Sequence, residues 1–326
     1  MNYKYLYYLL QTNFYQKQVQ LSWSYGTQQN IGMRILEKLK VLVPPLSEQE
    51  KIVKEIDNGF MIIHGDDFNA EHILECGQVF RYEKTLCGYK VYAGKHQAML
   101  LCQEGTTKII CDNKKFFANY FDFGVDYDTI KLKLSKDNLL KCAIEYGRGI
   151  RILNQDPYEV IISFIISANN NIPRIRKIID GVCKRFGTQM DGYYAFPTID
   201  QLINATSADF HELGCGYRDK YLVDTVARLK DMNLEELQSL PTQALRKVLL
   251  TLKGVGRKVA DCILLFGFHR MDVFPVDTWI QHLYYENYHG EHCPPDKISD
   301  YFVQTYGKLA GYAQQYLYYA KMKNAI

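Results

Sequence analysis

The chain has 326 residues, 47% of them hydrophobic, and 39 Lys and Arg stand against 36 Asp and Glu for a formal charge of +3. The length suffices for two or three domains with cores of their own, and the charge balance excludes a strongly basic tail or an acidic solvating chain. A binding face can still be basic locally, so nucleic acid is neither demanded nor excluded. The longest apolar runs, such as 160–166, fall far short of the ~18 residues of a membrane span. Met1-Asn2-Tyr3-Lys4 does not open a secretory signal, so no membrane partner is expected. Nine cysteines, at 76, 87, 102, 111, 142, 183, 215, 262 and 293, form no CxxC. They are expected to serve as small hydrophobes in a reducing cytoplasm, with no metal bound.

In chain order, residues 1–57 are rich in Gln and Tyr and read as a separate segment. Within it, Pro45 stops whatever precedes, and Ser47 with Glu50 predicts a capping box. The helix that follows should reach about Asp57 and end at Asn58-Gly59. Residues 58–113 read as an antiparallel β domain. Val79-Phe80-Arg81-Tyr82, Tyr89-Lys90-Val91-Tyr92-Ala93, Ala98-Met99-Leu100-Leu101-Cys102 and 107–111 are short apolar or aromatic runs, punctuated by Gly88, Gly94 and Gly105. Residues 114–326 read as helical. Asp156-Pro157-Tyr158-Glu159 is a helix start, with Asp as cap and Pro in the first turn. The run 160–166 is apolar nearly all round, which predicts a central buried helix. Asn169-Asn170-Asn171 breaks it and Pro173 opens the next. Further helical patterns lie at 176–186, 199–204, 218–231, 242–251, 257–268, 278–287 and 296–321.

The stretch Leu252-Lys253-Gly254-Val255-Gly256-Arg257-Lys258-Val259-Ala260-Asp261-Cys262 is the most informative. Its two glycines permit a tight turn between helices, at about 245–268. The second helix then presents free N–H groups at its start, which suits a phosphate. An ordinary αα-hairpin would read the same on these residues alone. Met271-Asp272-Val273-Phe274-Pro275-Val276-Asp277-Thr278-Trp279 follows, with Asp277 placed to cap a helix.

Together, the Gly-x-Gly hairpin, Lys258 and the Pro-Val-Asp that follows resemble the helix–hairpin–helix DNA glycosylase superfamily. Gln155-Asp156-Pro157, Ser163-Phe164-Ile165, 169–172, 214–218, 75–81 and 310–314 narrow this to a resemblance with the 8-oxoguanine DNA glycosylase family, covering roughly 60–326. The resemblance implies an α+β fold: a small antiparallel β domain, then two mainly helical domains carrying the helix–hairpin–helix. It implies a bifunctional glycosylase and AP lyase of base-excision repair, a monomer without cofactor, whose partner is damaged double-stranded DNA.

The resemblance also implies roles. Lys258 is the nucleophile at the sugar C1′. A partly desolvated lysine near a helix start has a lowered pKa, although on its own it could be a solvated surface residue. Asp277 stabilises the oxocarbenium-like sugar, and it can cap its helix at the same time. Cys262, one turn after Lys258, lies against one side of the flipped base, or is a core cysteine. Gln314 reads the base edge and Tyr318 stacks on it, or both belong to a buried helix face. Gly77 presents a backbone carbonyl to N7, which is a donor in 8-oxoguanine and an acceptor in guanine; otherwise it bends a strand. Asn169, Arg174 and Arg218 grip the cytosine left behind and Tyr217 wedges into the duplex, though each could be a cap, a turn or a surface group. Gly254 and Gly256 place the hairpin against a phosphate. Lys253 and Arg257 are phosphate contacts or plain surface. Trp279 stands where the family often has His. Only Cys293 follows Cys262, so the four-cysteine cluster of some relatives cannot be built.

The segment from Gln29-Asn30-Ile31 through 44–53 resembles the end of a target-recognition domain in type I restriction specificity subunits. It suggests a prokaryotic source, with a cytoplasmic, nucleoid-associated protein. No site residue is assigned to 1–57.

Overall fold

Short strands with alternating apolar residues build a sheet of five: β1 (Phe60–His64), β2 (Tyr82–Thr85), β3 (Gly88–Ala93), β4 (His96–Gln103) and β5 (Thr106–Cys111), in the order β1-β5-β4-β3-β2. The computed structural model describes residues 5–6, 44–50, 60–65, 67–103, 105–288 and 293–326. Backbone contacts divide the chain into two units, Met1–Phe60 and Met61–Ile326. In the first unit, residues 46–50 are helical directly after Pro45, whose carbonyl accepts from the N–H groups of Glu48 and Gln49. Pro45 therefore stands at the helix start and Ser47 lies inside the first turn, so the expected capping box at Ser47 is replaced. The expected stop at 58–59 lies outside the described residues.

The antiparallel register pairs Tyr89 with Leu100, Val91 with Ala98 and Leu100 with Ile109. Side chains alternate along a strand, so these five share one face. They form a core with Ile73 and Leu74 of α1 (Ala70–Leu74), Phe117 of α2 (Lys114–Tyr120), and Phe121 just beyond it. The run 79–82 enters the sheet only at Tyr82. Before it the chain turns at Gly77, and the buried Gln78 amide takes up the local backbone: Nε2 donates to the carbonyls of Ile73 (2.9 Å) and Arg151 (2.8 Å), and Oε1 accepts from Leu153 N–H at 2.9 Å.

Helices supply the rest: α3 (Tyr127–Leu134), α4 (Asn138–Tyr146), α5 (Pro157–Ser167), α6 (Ile172–Phe186), α7 (Ile199–Leu202), α8 (Ser207–Glu212), α9 (Asp219–Asp231), α10 (Leu234–Ser239), α11 (Thr242–Leu249), α12 (Arg257–Phe266), α13 (Thr278–Asn287), α14 (Pro295–Tyr306) and α15 (Ala310–Met322). Asp156 caps α5 by accepting from Tyr158 N–H at 2.7 Å, and every residue from 158 to 167 is buried, as an all-round apolar helix requires. The pattern at 296–321 is two helices rather than one. Gly307 has φ +55° between α14 and α15, a conformation glycine adopts freely.

Two buried ion pairs fix the parts that matter most. Arg81 Nη1 meets Glu159 Oε1 at 3.3 Å, and Glu159 Oε2 accepts from Gly94 N–H at 3.0 Å, which fastens the sheet to α5. Asp261 on α12 is held by Arg246 of α11 at 2.7 Å and by Arg257 at 3.0 Å. Removing one partner of such a pair costs about 3–5 kcal/mol, so the two helices of the hairpin are locked together.

Candidate active site

The hairpin between α11 and α12 ends at Gly256, which stands at the cap of α12 without any side-chain cap bond. The first N–H groups of α12 thus remain open to an incoming acceptor. Lys258 is the second residue of α12, and Cys262 follows one turn later on the same face. Cys262 is buried, and burial pushes its thiol up to about 11, against the pull of Lys258. It is therefore a neutral thiol near pH 7. Lys258 corrects one expectation: it is exposed rather than partly desolvated, because the start of α12 faces solvent. Its Nζ lies 5.8 Å from the centre of the Phe164 ring on α5. Asp277 caps α13 through Oδ1, which accepts from Ile280 N–H at 3.0 Å. Burial raises the Asp277 carboxyl pKa, while the Ile280 N–H and the Lys258 charge lower it.

These side chains line one small cavity with Gly77, Gln314, Gln315 and Tyr318; its volume is about 50 Å³. Phe164 and Phe266 stack in its wall with ring centres 5.6 Å apart. Larger hollows of about 590 and 680 Å³ lie elsewhere. Chemistry rather than volume singles out the smaller one, because it joins an amine, a half-buried carboxyl, a buried thiol and a buried amide oxygen. That oxygen, Gln314 Oε1, has no hydrogen-bond partner among the described residues. An unpaired buried acceptor costs about 1–3 kcal/mol unless a ligand supplies a donor. Gly77 faces Tyr318 across the cavity. Its φ is +79°, and a Cβ there would lie 3.2 Å from Tyr318 Cε1 and Oη. The gap therefore has no room for an added methyl group unless the Tyr318 ring shifts.

On the activity that the sequence resemblance implies, Gly77→Ala is expected to slow excision of a damaged base by at least about tenfold, since a left-handed alanine is strained by ~1–2 kcal/mol and its methyl group meets Tyr318. Cleavage of a preformed abasic site, which presents no base, should stay near wild type in a single-turnover assay. Equal loss of both would mean that the substitution damages the fold.

A second cluster forms where α5 ends. Asn169 has φ +50° and is exposed. Arg174, near the start of α6, is exposed and donates through Nη2 to Gly214 O at 3.1 Å. Tyr217 is 55% exposed, and the Arg218 guanidinium lies 4.4 Å from its ring centre. Arg218 departs from the expected free donor. It is buried, and its guanidinium donates to the carbonyls of Ala168, Asn169 and Cys215. In this state it holds the Asn169 turn in place. The ring of Tyr221 lies 5.9 Å from that of Tyr217, and it also packs under Gly254, where a Cβ would meet it at 2.4 Å. Tyr221 thereby connects this cluster to the hairpin. Phe164 sits four residues before Ala168, one helical turn away, so α5 links the cluster to the cavity. Lys253 and Arg257 are both ion-paired, Lys253 with Asp224 at 2.8 Å and Arg257 with Asp261 and Asp300.

No role was assigned from the sequence to Gln78, Gln315, Phe266 or the Arg246–Asp261 pair, and Pro275 figured only in the Pro-Val-Asp motif. The signals were thin: Gln315 stands beside Gln314, and Gln78 beside Gly77, but their partners lie far away in the chain.

The 8-oxoguanine DNA glycosylase N-terminal domain matches residues 61–161, and the HhH-GPD superfamily of base excision DNA repair proteins matches 162–304. The N-glycosylase/DNA lyase of Saccharomyces cerevisiae is 32% identical over 270 residues, 71% of this chain and 71% of that protein. The chain belongs to the 8-oxoguanine DNA glycosylase family. The enzyme class that goes with it is DNA glycosylase and DNA-(apurinic or apyrimidinic site) lyase. The N-glycosylase/DNA lyase OGG1 of Arabidopsis thaliana is 37% identical over 194 residues, 54% of this glycosylase and 53% of that protein. Among solved structures, the 8-oxoguanine glycosylase/lyase of Clostridium acetobutylicum, in complex with double-stranded DNA containing cytosine opposite 8-oxoguanine, is 39% identical. It covers 82% of this chain and 99% of that one, with a TM-score of 0.77. A type I restriction modification DNA specificity domain matches residues 1–70.

Proposed function

We propose that this glycosylase excises 8-oxoguanine from duplex DNA opposite cytosine, through a Schiff base at Lys258 and β-elimination. The observation that carries the reading is one cavity in which the Lys258 amine and the Asp277 carboxyl face an unpaired buried acceptor, Gln314 Oε1. The neutral Lys258 amine attacks C1′. The C1′–N bond breaks, and the base leaves with the electron pair and takes up a proton. Asp277, as carboxylate, balances the positive charge that grows on the sugar. Ring opening of the aminal gives the Schiff base. Loss of a C2′ proton then expels the 3′ phosphate, which nicks the strand.

The base leaves the stack to enter the pocket. Gln314 Oε1 accepts from the N–H groups on a guanine-type pairing edge. The backbone at Gly77 accepts from the N7–H that 8-oxoguanine has and guanine lacks. Cys262, held as a neutral thiol by its burial, contacts one side of the base without competing as a nucleophile. The Gly254–Gly256 turn and the open start of α12 suit a phosphate. Asn169 and Arg174 stand ready to meet the estranged base, with Tyr217 as the wedge; Arg218 joins them by exchanging the Ala168 and Asn169 carbonyls for cytosine acceptors. Adenine lacks the O2 acceptor of cytosine and leaves donors unpaired, at ~1–3 kcal/mol.

The test is single-turnover excision from duplexes that carry 8-oxoguanine or other oxidised bases opposite each of the four normal bases. The fastest rate is expected for 8-oxoguanine opposite cytosine, by about tenfold over adenine. Equal rates opposite all four bases would remove the roles given to Asn169, Arg174 and Arg218.

A further inference from the structure

A glycine carbonyl is a soft instrument for reading one atom of a base, because both dihedrals of glycine are free to move. Something has to hold the loop still. Gln315, on α15 and only 1% exposed, donates from Nε2 to Cys76 O at 2.7 Å, across 239 residues of sequence. The Cys76–Gly77 peptide is planar, so fixing its oxygen fixes the whole unit entering Gly77. On the far side, Gln78 is anchored by its own amide, and its carbonyl accepts from Gln155 Nε2 at 2.8 Å. Gln315 follows Gln314 directly and precedes Tyr318 by less than one turn. The bond therefore ties the loop that carries Gly77 to the helix that carries the two other base-facing side chains. Tyr318 can swing to admit a base while the backbone frame on both sides keeps its spacing.

We infer that Gln315 is a positioning residue for lesion specificity: its buried bond to Cys76 O makes the Gly77 loop and the Gln314–Tyr318 face of α15 one rigid reading frame. The inference rests on the substrate reading given above. It separates two steps that share Lys258. Base excision needs the frame, whereas cleavage of an abasic site has no base to read.

Two variants of the full chain test it. Gln315→Met keeps the length but removes the donor. It is expected to slow single-turnover excision of 8-oxoguanine opposite cytosine by about tenfold, while cleavage of a preformed abasic duplex stays within about twofold of wild type. Gln315→Glu can donate the same bond only when protonated, and burial raises the pH at which that proton is lost. Its excision relative to wild type should be near normal at the acid end and fall as pH rises, because the ionised carboxylate then faces the Cys76 carbonyl. Unchanged excision in Gln315→Met, parallel loss of excision and abasic cleavage, or a Gln315→Glu profile parallel to wild type would each overturn the inference alone. A wild-type chain that cleaves abasic sites but leaves 8-oxoguanine in place would overturn the substrate reading, and this inference with it.

Discussion

Lys258→Gln is expected to abolish the covalent adduct with DNA and to leave lesion binding largely intact. The amide keeps nearly the length of the side chain but has no lone pair basic enough to attack C1′. Lys258 is exposed at the start of α12, so the fold should melt close to wild type. Borohydride reduction in the presence of an 8-oxoguanine duplex should give a shifted band for wild type and none for the variant. A gel-shift titration should give similar affinities, within a factor of about three. An adduct of undiminished strength in the variant would sink the assignment of Lys258.

Asp277→Asn should be nearly as severe. Asparagine caps helices as well as aspartate does, so the bond to Ile280 N–H survives and α13 keeps its start. What is lost is the negative charge beside the developing cation, and removal of such a preorganised group costs on the order of 10²–10³ in rate. The pH dependence distinguishes this from a loss of structure. Burial sets the Asp277 carboxyl above its ordinary 3.8. The working form is the carboxylate, so wild-type excision should fall as pH drops through that raised value, and the Asn variant should lack this acid limb. Stability runs the other way. A carboxyl that holds its proton more tightly in the folded chain than in the unfolded one contributes stability at low pH that is lost as pH rises past the folded value. The Asn variant should therefore be no less stable near neutrality. An unchanged excision rate would leave Asp277 as a cap and nothing more.

The features legible in the sequence are those written locally. The Asp156-Pro157 start of α5, the Asp277 cap and the Gly-x-Gly between α11 and α12 each depend on a few adjacent residues, and each is found where its chemistry requires. Turn residues spaced the β runs correctly, yet α1, five residues long, carries too few apolar positions for a helical period to emerge. The split at Gly307 rests on one glycine between two helical stretches, and a lone glycine is also tolerated inside a helix. Within the site, the i, i+4 pairs Lys258–Cys262 and Gln314–Tyr318 could be read from helix geometry. The exposure of Lys258 and the burial of Arg218 could not, because both depend on which surfaces meet. The Gln315–Cys76 bond spans 239 residues of sequence, and no local pattern announces a contact of that kind.

The most direct measurement for the central claim is to map the crosslink itself. The full wild-type chain is reduced with borohydride on a duplex carrying 8-oxoguanine opposite cytosine, digested, and the modified peptide is sequenced by mass spectrometry. The account predicts a single sugar adduct on Lys258, within the peptide that runs from the hairpin glycines into α12. An adduct on the N-terminal amine or on another lysine, with Lys258 unmodified, would contradict it.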